Sequence, residues 1–364
     1  MDTEELKYWV GFSQITKLGP LRFKKLINYF PDLKTAWQTN YSELIKSGLE
    51  PELAAAIDLK KSEINPDEEL KKLAKEKIEV VTLKDKNYPK LLSEIYDAPP
   101  LLYFRGELTN PEFALAVVGT RKISSYGQQV VPQIVKDLAG SGLIIVSGLA
   151  LGVDALAHQS TLEVSGYTIA VLGSGLDWQN IYPADNRYLA KKIINAGGSV
   201  ISEYPIGTPP LKHHFPYRNR IISGLTLGTL VIEAPASSGA LITAKYALEQ
   251  NREIFAVPGS IFSQNSEGPN NLIKMGARLV SSAADILEAL NLNQITEFKK
   301  AKKIIADSLE EEILLKNLSY EPIHIDKLAE LSRINTSILN STLTLMEMKG
   351  KIRNLGGNNY VRAR

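Results

Sequence analysis

The sequence predicts an α/β protein built on a doubly wound parallel sheet, and three observations carry that prediction. Short β-rich runs recur at Ile78–Leu83, Ala114–Val118, Leu143–Val146, Thr168–Leu172, Ser199–Ser202, Thr229–Ile232 and Glu253–Val257. Helical patterns fill the intervals, as at Tyr126–Ala139, Asp154–Val164, Asp185–Asn195 and Ala240–Gln250. The runs are apolar almost without alternation, which marks strands covered on both faces.

The elements divide into pieces. Residues 1–78 read as helical, because apolar residues recur at helical spacing in Leu21–Phe30 and at Leu44, Ile45, Leu49 and Leu53. Turn signals separate them at Leu18-Gly19-Pro20, Pro31-Asp32 and Ser47-Gly48. Short helices joined by a glycine turn resemble a SAM or helix-hairpin-helix bundle, whose turn can offer N–H groups to a phosphate; a bundle used only for packing fits equally well. Asp67–Lys77 is a charged helix leading into the sheet domain, residues 79–292. Residues 293–306 form a basic linker containing Lys299, Lys300, Lys302 and Lys303. Residues 307–364 complete the chain: helical patterns at Leu309–Leu318, Ile325–Leu331 and Thr336–Met348 precede a hairpin turning at Gly356-Gly357-Asn358, a winged-helix pattern.

Length and composition narrow the classes. At roughly 150 residues per domain, 364 residues suggest about two to three domains. The 44% hydrophobic and 23% charged content is ordinary for a globular chain and excludes disorder and fibre classes. No apolar run approaches the roughly 18 residues of a membrane span, and Met1–Thr16 lacks a signal-peptide core. The absence of cysteine excludes disulfides, thiol catalysis and cysteine-based zinc sites, and it fits a reducing, cytoplasmic setting.

Net charge is only +2, so the chain has no global basic field. Charge is segregated locally instead. No acid lies between Glu203 and Glu233, a stretch holding Lys212, His213, His214, Arg218 and Arg220. None lies between Glu112 and Asp137, where Arg121, Lys122 and Lys136 stand. Intervals of this kind suggest surfaces that meet anions.

In an open parallel sheet, ligands bind beyond the carboxyl ends of the strands. Those ends carry Gly119-Thr120-Arg121, Ser147–Gly152 (with Gly148), Gly173–Gly175 and Ala234–Gly239. Glycine allows close backbone approach, and helix N-termini direct N–H groups at a ligand, so a phosphate-binding rim is expected. No Walker A pattern exists, and Gly173-Ser174-Gly175 has Trp178 where a dinucleotide fingerprint needs its third glycine. Adjacent His213 and His214 cannot share a helix face as ligands, and His158 and His324 stand apart, so no metal site is expected. The segment from Lys212 to Arg220 mixes cations with Phe215 and Tyr217, as a single-stranded polyanion with exposed bases requires. Phe215 and Tyr217 could instead be core, and Arg218 could pair with Glu233 or Asp154.

An ordered series of motifs then makes the sequence recognisable. Tyr88–Leu92, Ala98–Gly106, Val118–Arg121, Ser147–Asp154, Val171–Leu176, Ile181–Pro183, His214–Gly224 and Ser238–Ala244 together resemble the DprA/Smf family (DNA-processing protein A) over roughly Tyr88–Val280. The resemblance implies an extended Rossmann fold that often dimerises and needs no cofactor. It implies a cytosolic protein that binds and protects incoming single-stranded DNA and loads a RecA-type recombinase onto it during natural transformation. By the same resemblance the DNA contacts are Gly119 and Arg121 of the Gly-x-Arg turn, Lys212 and Phe215 of the Lys-x-x-Phe element, and Lys245, with Arg218 and Arg220 framing the pocket.

Two further expectations complete this reading. Thr336–Met348 has no Lys or Arg and places Leu339, Leu343 and Met346 on a buried stripe, which favours a protein-contact or structural role over base readout. The rival is an enzyme: related Rossmann proteins cleave nucleoside monophosphates at the N-glycosidic bond with a Pro-Gly-Gly-x-Gly-Thr-x-x-Glu motif. Gly228–Glu233 echoes that motif without its Pro-Gly-Gly and with the glutamate displaced by one position.

Overall fold

The computed structural model describes residues 3–292, 308–319, 322–348 and 351–362, in two compact units divided at Leu290/Asn291. The expected linker, residues 293–306, lies outside the described residues.

The first unit opens with six helices: α1 (Thr3–Ser13), α2 (Pro20–Tyr29), α3 (Leu33–Gln38), α4 (Tyr41–Lys46), α5 (Pro51–Glu63) and α6 (Pro66–Lys75). Proline opens α2, α5 and α6, where its missing N–H costs nothing. Asp32, Asn40 and Asn65 cap α3, α4 and α6 through side-chain oxygens that accept backbone N–H groups. Trp9, Phe12 and Phe23 are fully buried; Phe23 stacks on Trp9 and meets Phe12 edge-on. Their core does not close on itself. It is continuous with Leu101, Tyr103, Leu172, Leu189 and Val200 of the sheet domain, and Ser13 and Tyr103 join hydroxyls at 2.6 Å.

The chain then runs β1 (Glu79–Thr82), α7 (Lys90–Ser93), β2 (Leu101–Gly106), β3 (Ala114–Val118), α8 (Ser125–Gly140), β4 (Ile144–Ser147), α9 (Val153–Glu163), β5 (Thr168–Leu172), α10 (Arg187–Asn195) and β6 (Ser199–Ser202). It continues with α11 (His214–Gly224), β7 (Gly228–Val231), α12 (Ala240–Glu249), β8 (Glu253–Ala256), α13 (Glu267–Lys274), β9 (Arg278–Leu279) and α14 (Ala283–Ala289). The sheet order is β1-β2-β6-β5-β4-β3-β7-β8-β9. From β6 to β9 all pairs are parallel, and successive residues of β5 divide between faces: Ala170 and Leu172 on one, Ile169 and Val171 on the other. The expected doubly wound core is therefore present, with one refinement. β1 pairs with β2, and β2 with β6, antiparallel, so the sheet is mixed at one edge. The segment between β1 and β2 holds only the one-turn α7, not the long crossover helix that usually joins parallel strands.

Strand order reverses at β3: β4 to β6 build outward on one side and β7 to β9 on the other. The crevice at that reversal lies beyond the ends of β3 and β7.

The second unit comprises α15 (Leu309–Asn317), β10 (Ile323–His324), α16 (Ile325–Ser332), α17 (Thr336–Met348), β11 (Ile352–Asn354) and β12 (Asn359–Arg362). Its strands order as β10-β12-β11, and the β11–β12 hairpin turns through Gly356, Gly357 and Asn358, all at positive φ. Leu314, Leu328, Leu339, Leu343 and Met346 are fully buried in a core of this unit's own. Three helices and a wing result, as the sequence implies.

Candidate nucleic-acid interface

The loop after β3 is held rigidly. Thr120 donates its N–H to Glu233 O at 2.6 Å, and the buried Glu233 carboxylate accepts the Ser124 N–H at 2.9 Å and the Ser124 hydroxyl. Ser124 in turn caps α8. The turn leaves Arg121 exposed at the surface. Both Glu233 oxygens are thus committed to a loop, which removes the residue that the hydrolase reading needs as a catalytic acid or base.

The glycines of the rim serve close backbone packing. A Cβ on Gly119 would lie 2.6 Å from Val153 Cγ2, and one on Gly152 (φ +77°) would lie 2.3 Å from Thr120 O. The first N–H of α9, from Val153, donates to Thr120 O at 3.2 Å, so that amide holds two loops together instead of facing a ligand. Ser147 is fully buried and donates its hydroxyl to Val117 O at 2.6 Å, which corrects its expected place among the contact residues. Gly148 donates its N–H to Asp154 Oδ2 at 3.1 Å and makes room for Arg218, whose Nη2 would lie 2.6 Å from any Cβ there. Gly173–Gly175 forms no cradle either: the Ser174 hydroxyl donates to Asn180 O and the Gly175 N–H to Thr208 O.

The acid-free segment folds as the approach to α11 and α11 itself. Lys212 is exposed ahead of the helix, and Phe215 is half-buried in its first turn. The Arg121 guanidinium lies over the Phe215 ring, 5.7 Å from its centroid, and Tyr182 packs against the same ring at 5.5 Å. These four residues line a cleft of about 660 Å³ together with Asn219 and Ser238, at the reversal of strand order. Two cations and two aromatic rings on one open cleft suit a phosphate chain with unpaired bases. Tyr182, 44% exposed, is the contributor not singled out from sequence. Its signal was present in Ile181-Tyr182-Pro183, on the loop following a neighbouring strand.

The other cations behave differently. Arg218 is buried in the floor of the cleft, where its Nη1 donates to Gly148 O at 2.8 Å and to Val171 O, and its Nε to Asn219 Oδ1 at 3.2 Å. Burial pushes its pKa down to about 10 despite the nearby Asp154, so it remains charged at neutral pH. Asp154 is the acid it faces, not Glu233. Burial raises the Asp154 carboxyl, while Arg218 and the Gly148 N–H act in the opposite direction. Arg220 turns inward, which corrects its expected role in framing the pocket. It is fully buried, with Nε on Asp97 Oδ2 at 2.9 Å, Nη2 on Glu203 Oε2 at 2.6 Å, and its guanidinium 4.0 Å from the Tyr217 ring. Burial works against that charge, but Glu203, Tyr217 and Asp97 outweigh it and hold the pKa above the ordinary arginine value. Lys245 is exposed on α12, 3.8 Å from Glu249, and is not among the residues lining the cleft. His214 stacks on Tyr204 and faces Gly173 O, and burial lowers its pKa, so it adds no charge at neutral pH.

Among the described residues no group of His, Asp and Glu side chains could hold a metal ion. No described helix is long and apolar enough to cross a membrane. In α17 the hydroxyls of Ser341 and Thr344 donate back to carbonyls of their own helix, while Ile338 and Leu345 stand half-exposed.

Residues 79–291 match the family described as DNA recombination-mediator protein A, and residues 299–358 match the DprA winged helix domain. Protein Smf of Synechocystis sp. is 40% identical over 311 residues, 84% of this chain and 77% of its own length. DNA processing protein DprA of Streptococcus pneumoniae is 48% identical over 204 residues, 56% of this chain and 71% of its own. Its X-ray structure aligns with a TM-score of 0.67 at 38% identity, covering 78% of this chain and 97% of that one. A DNA processing protein A structure from Helicobacter pylori, described by its single-stranded DNA binding mode, aligns at 0.52 and 29% identity, covering 59% and 95%.

Proposed function

Because this chain belongs to the DNA recombination-mediator protein A (DprA/Smf) family, we propose that it binds single-stranded DNA in the cleft beyond β3 and β7, protects it, and loads a RecA-type recombinase onto it. The observation carrying this reading is the Arg121–Phe215–Tyr182 stack beside Lys212. Arg121 and Lys212 meet phosphates, while Phe215 and Tyr182 take base faces, which duplex DNA keeps hidden. The Helicobacter pylori relative, described as binding single-stranded DNA, lends support. Gly119, Gly148, Gly152 and Arg218 act from behind, by shaping the wall and floor. Lys245 adds a peripheral phosphate contact.

The protein works as a non-catalytic, cytoplasmic binder and as a homodimer. Support for the dimer is the exposed apolar surface around β8, α13 and β9, where Ile261, Phe262, Met275 and Leu279 are all more than half exposed. Exposed large apolar side chains of this kind suit contact with a second copy. The winged-helix unit serves protein contact, in keeping with the apolar surface of α17 and its self-bonded hydroxyls.

The deciding experiment titrates labelled oligo-dT and a duplex of equal length across salt concentrations. Tighter binding of the single strand is expected. Arg121→Ala and Lys212→Ala should each lower the slope of log K against log salt by about 0.7. Equal or tighter duplex binding at matched salt would sink the reading. Release of ribose 5-phosphate from AMP would revive the hydrolase.

A further inference from the structure

We infer that the strand-binding surface extends past Tyr182 onto the outer face of α10, where Tyr188, Lys191 and Lys192 take further nucleotides of a single-stranded nucleic acid. This rests on the reading of the cleft given above. Tyr182 lines that cleft and stands 44% exposed at its rim. From there the chain passes through a 3₁₀ turn, Ala184–Asn186, directly into α10. Three residues at 2.0 Å and two at 1.5 Å place Tyr188 about 9 Å beyond Pro183 along the element axis. Tyr188 is 69% exposed, more than any aromatic lining the cleft, and Lys191 and Lys192 are exposed on the same helix.

The charge here is arranged to be available. Lys46, Lys60, Lys71 and Lys72 each pair with a carboxylate three residues away. Lys192 instead lies over the Tyr188 ring at 4.8 Å and Lys191 over the Trp178 ring at 5.1 Å. The sequence holds no acid between Asp185 and Glu203. Of the acids before it, Asp177 is buried and accepts from the Gly207 N–H and from Asn180 Nδ2, which leaves Asp185 as the carboxylate in the turn. The Arg187 guanidinium is consumed locally, donating to Ile181 O and Gln179 O, and so fixes the loop that carries Tyr182 relative to α10. The result repeats the chemistry of the cleft one step farther out: an exposed ring with cations beside it, on a rigid element. Such repetition suits a polymer of phosphates and bases, and it is indifferent to base identity.

The test uses the full chain with two oligo-dT probes, a short one of about six nucleotides that fills only the cleft and a long one of about twenty. The Lys191→Ala/Lys192→Ala double variant should bind the short probe as the parent does. For the long probe its salt slope should fall by about 1.4, two contacts at about 0.7 each. Tyr188→Ala should weaken the long probe by about fivefold or more, the lower end of a lost base stack. Ultraviolet crosslinking of the long probe should map to Tyr188 in the parent chain. Long-probe binding with unchanged slope and affinity in both variants, while Arg121→Ala still weakens both probes, would overturn this inference and leave the cleft intact. Equal weakening of both probes at an unchanged melting temperature would also overturn it, because α10 would then not be an outer extension. If the parent binds neither probe, the cleft reading itself fails.

Discussion

Arg220→Met separates scaffold from interface most sharply. The arginine is fully buried between Asp97 and Glu203, whose side chains are 27% and 9% exposed. Removing the guanidinium strands the buried Glu203 carboxylate, and breaking such a pair from one side costs about 3–5 kcal/mol. The Tyr217 cation–π contact is lost in the same step and falls within that figure. All three tryptophans, Trp9, Trp37 and Trp178, lie in the first unit, so fluorescence-monitored urea unfolding reads that unit alone. With a slope of about 3 kcal/mol per molar urea, the midpoint should fall by about 1–2 M. Pairing Arg220→Met with Glu203→Leu should recover most of the loss, since Arg220 Nη1 and Glu203 Oε1 find no partner among the described residues and the pair is imperfectly satisfied. Arg121→Ala, at an exposed site, should stay within about 0.5 kcal/mol of the parent. An Arg220→Met midpoint equal to the parent's, or a double variant no better than the single, would refute the argument.

Other outcomes follow from the same geometry. Gly152→Ala should destabilise the first unit and weaken DNA binding together, because its Cβ would press on Thr120 O at a φ of +77° and displace the turn bearing Arg121; unaltered urea and binding curves would contradict this. Phe215→Ala should weaken oligo-dT binding by about 1–3 kcal/mol, checked by anisotropy at fixed salt. His158 gives a pH signature. Burial lowers its pKa to about 3, so the unfolded chain takes up the proton below about 6.5 while the folded chain refuses it. Its contribution is complete above pH 6.5 and is lost as pH falls toward 3, at about 1.4 kcal/mol per pH unit on the steep part. His158→Phe should flatten that acid limb in urea midpoints measured from pH 7 to 4. Oligo-dT binding should proceed without ATP or a divalent metal, and steady ATP hydrolysis abolished by Gly119→Ala would contradict this.

Strand positions in the parallel core are legible because a strand covered on both faces is apolar almost throughout, as Ala114–Val118 and Ile169–Leu172 are. β2 is not, since Leu101–Gly106 reads as one motif with its flanks and its antiparallel pairing is set by a strand a hundred residues away. The two acid-free stretches contribute residues to the cleft, yet charge counting cannot tell Arg121 and Lys212, which line it, from Arg220. Arg220 is neutralised by Asp97 and Glu203, and a local charge count cannot see acids that only folding brings near. Ser147 is ambiguous in sequence for a related reason. A glycine-flanked serine at a strand end looks the same whether its hydroxyl meets a ligand or, as here, the carbonyl of Val117 on the next strand. Tyr182 carries no such signal of its own, because its place in the cleft comes from Phe215, thirty-three residues away, lying 5.5 Å from it.

The shared core of the helical segment and the sheet has a consequence for how the chain is made. Trp9, Phe12 and Phe23 bury against one another, but their cluster is completed by Leu172, Leu189 and Val200. At about 5–20 residues per second, synthesis takes roughly 10–40 s to travel from Trp9 to Val200. Throughout that interval the part of the helical cluster that meets Leu172, Leu189 and Val200 stays uncovered. The antiparallel β2–β6 pair cannot close until the same moment, because Tyr103 waits for Ser202. The first unit therefore assembles late and as a whole. A ribosome stalled anywhere before residue 200 should present a sticky, chaperone-bound nascent segment instead of a finished helical domain.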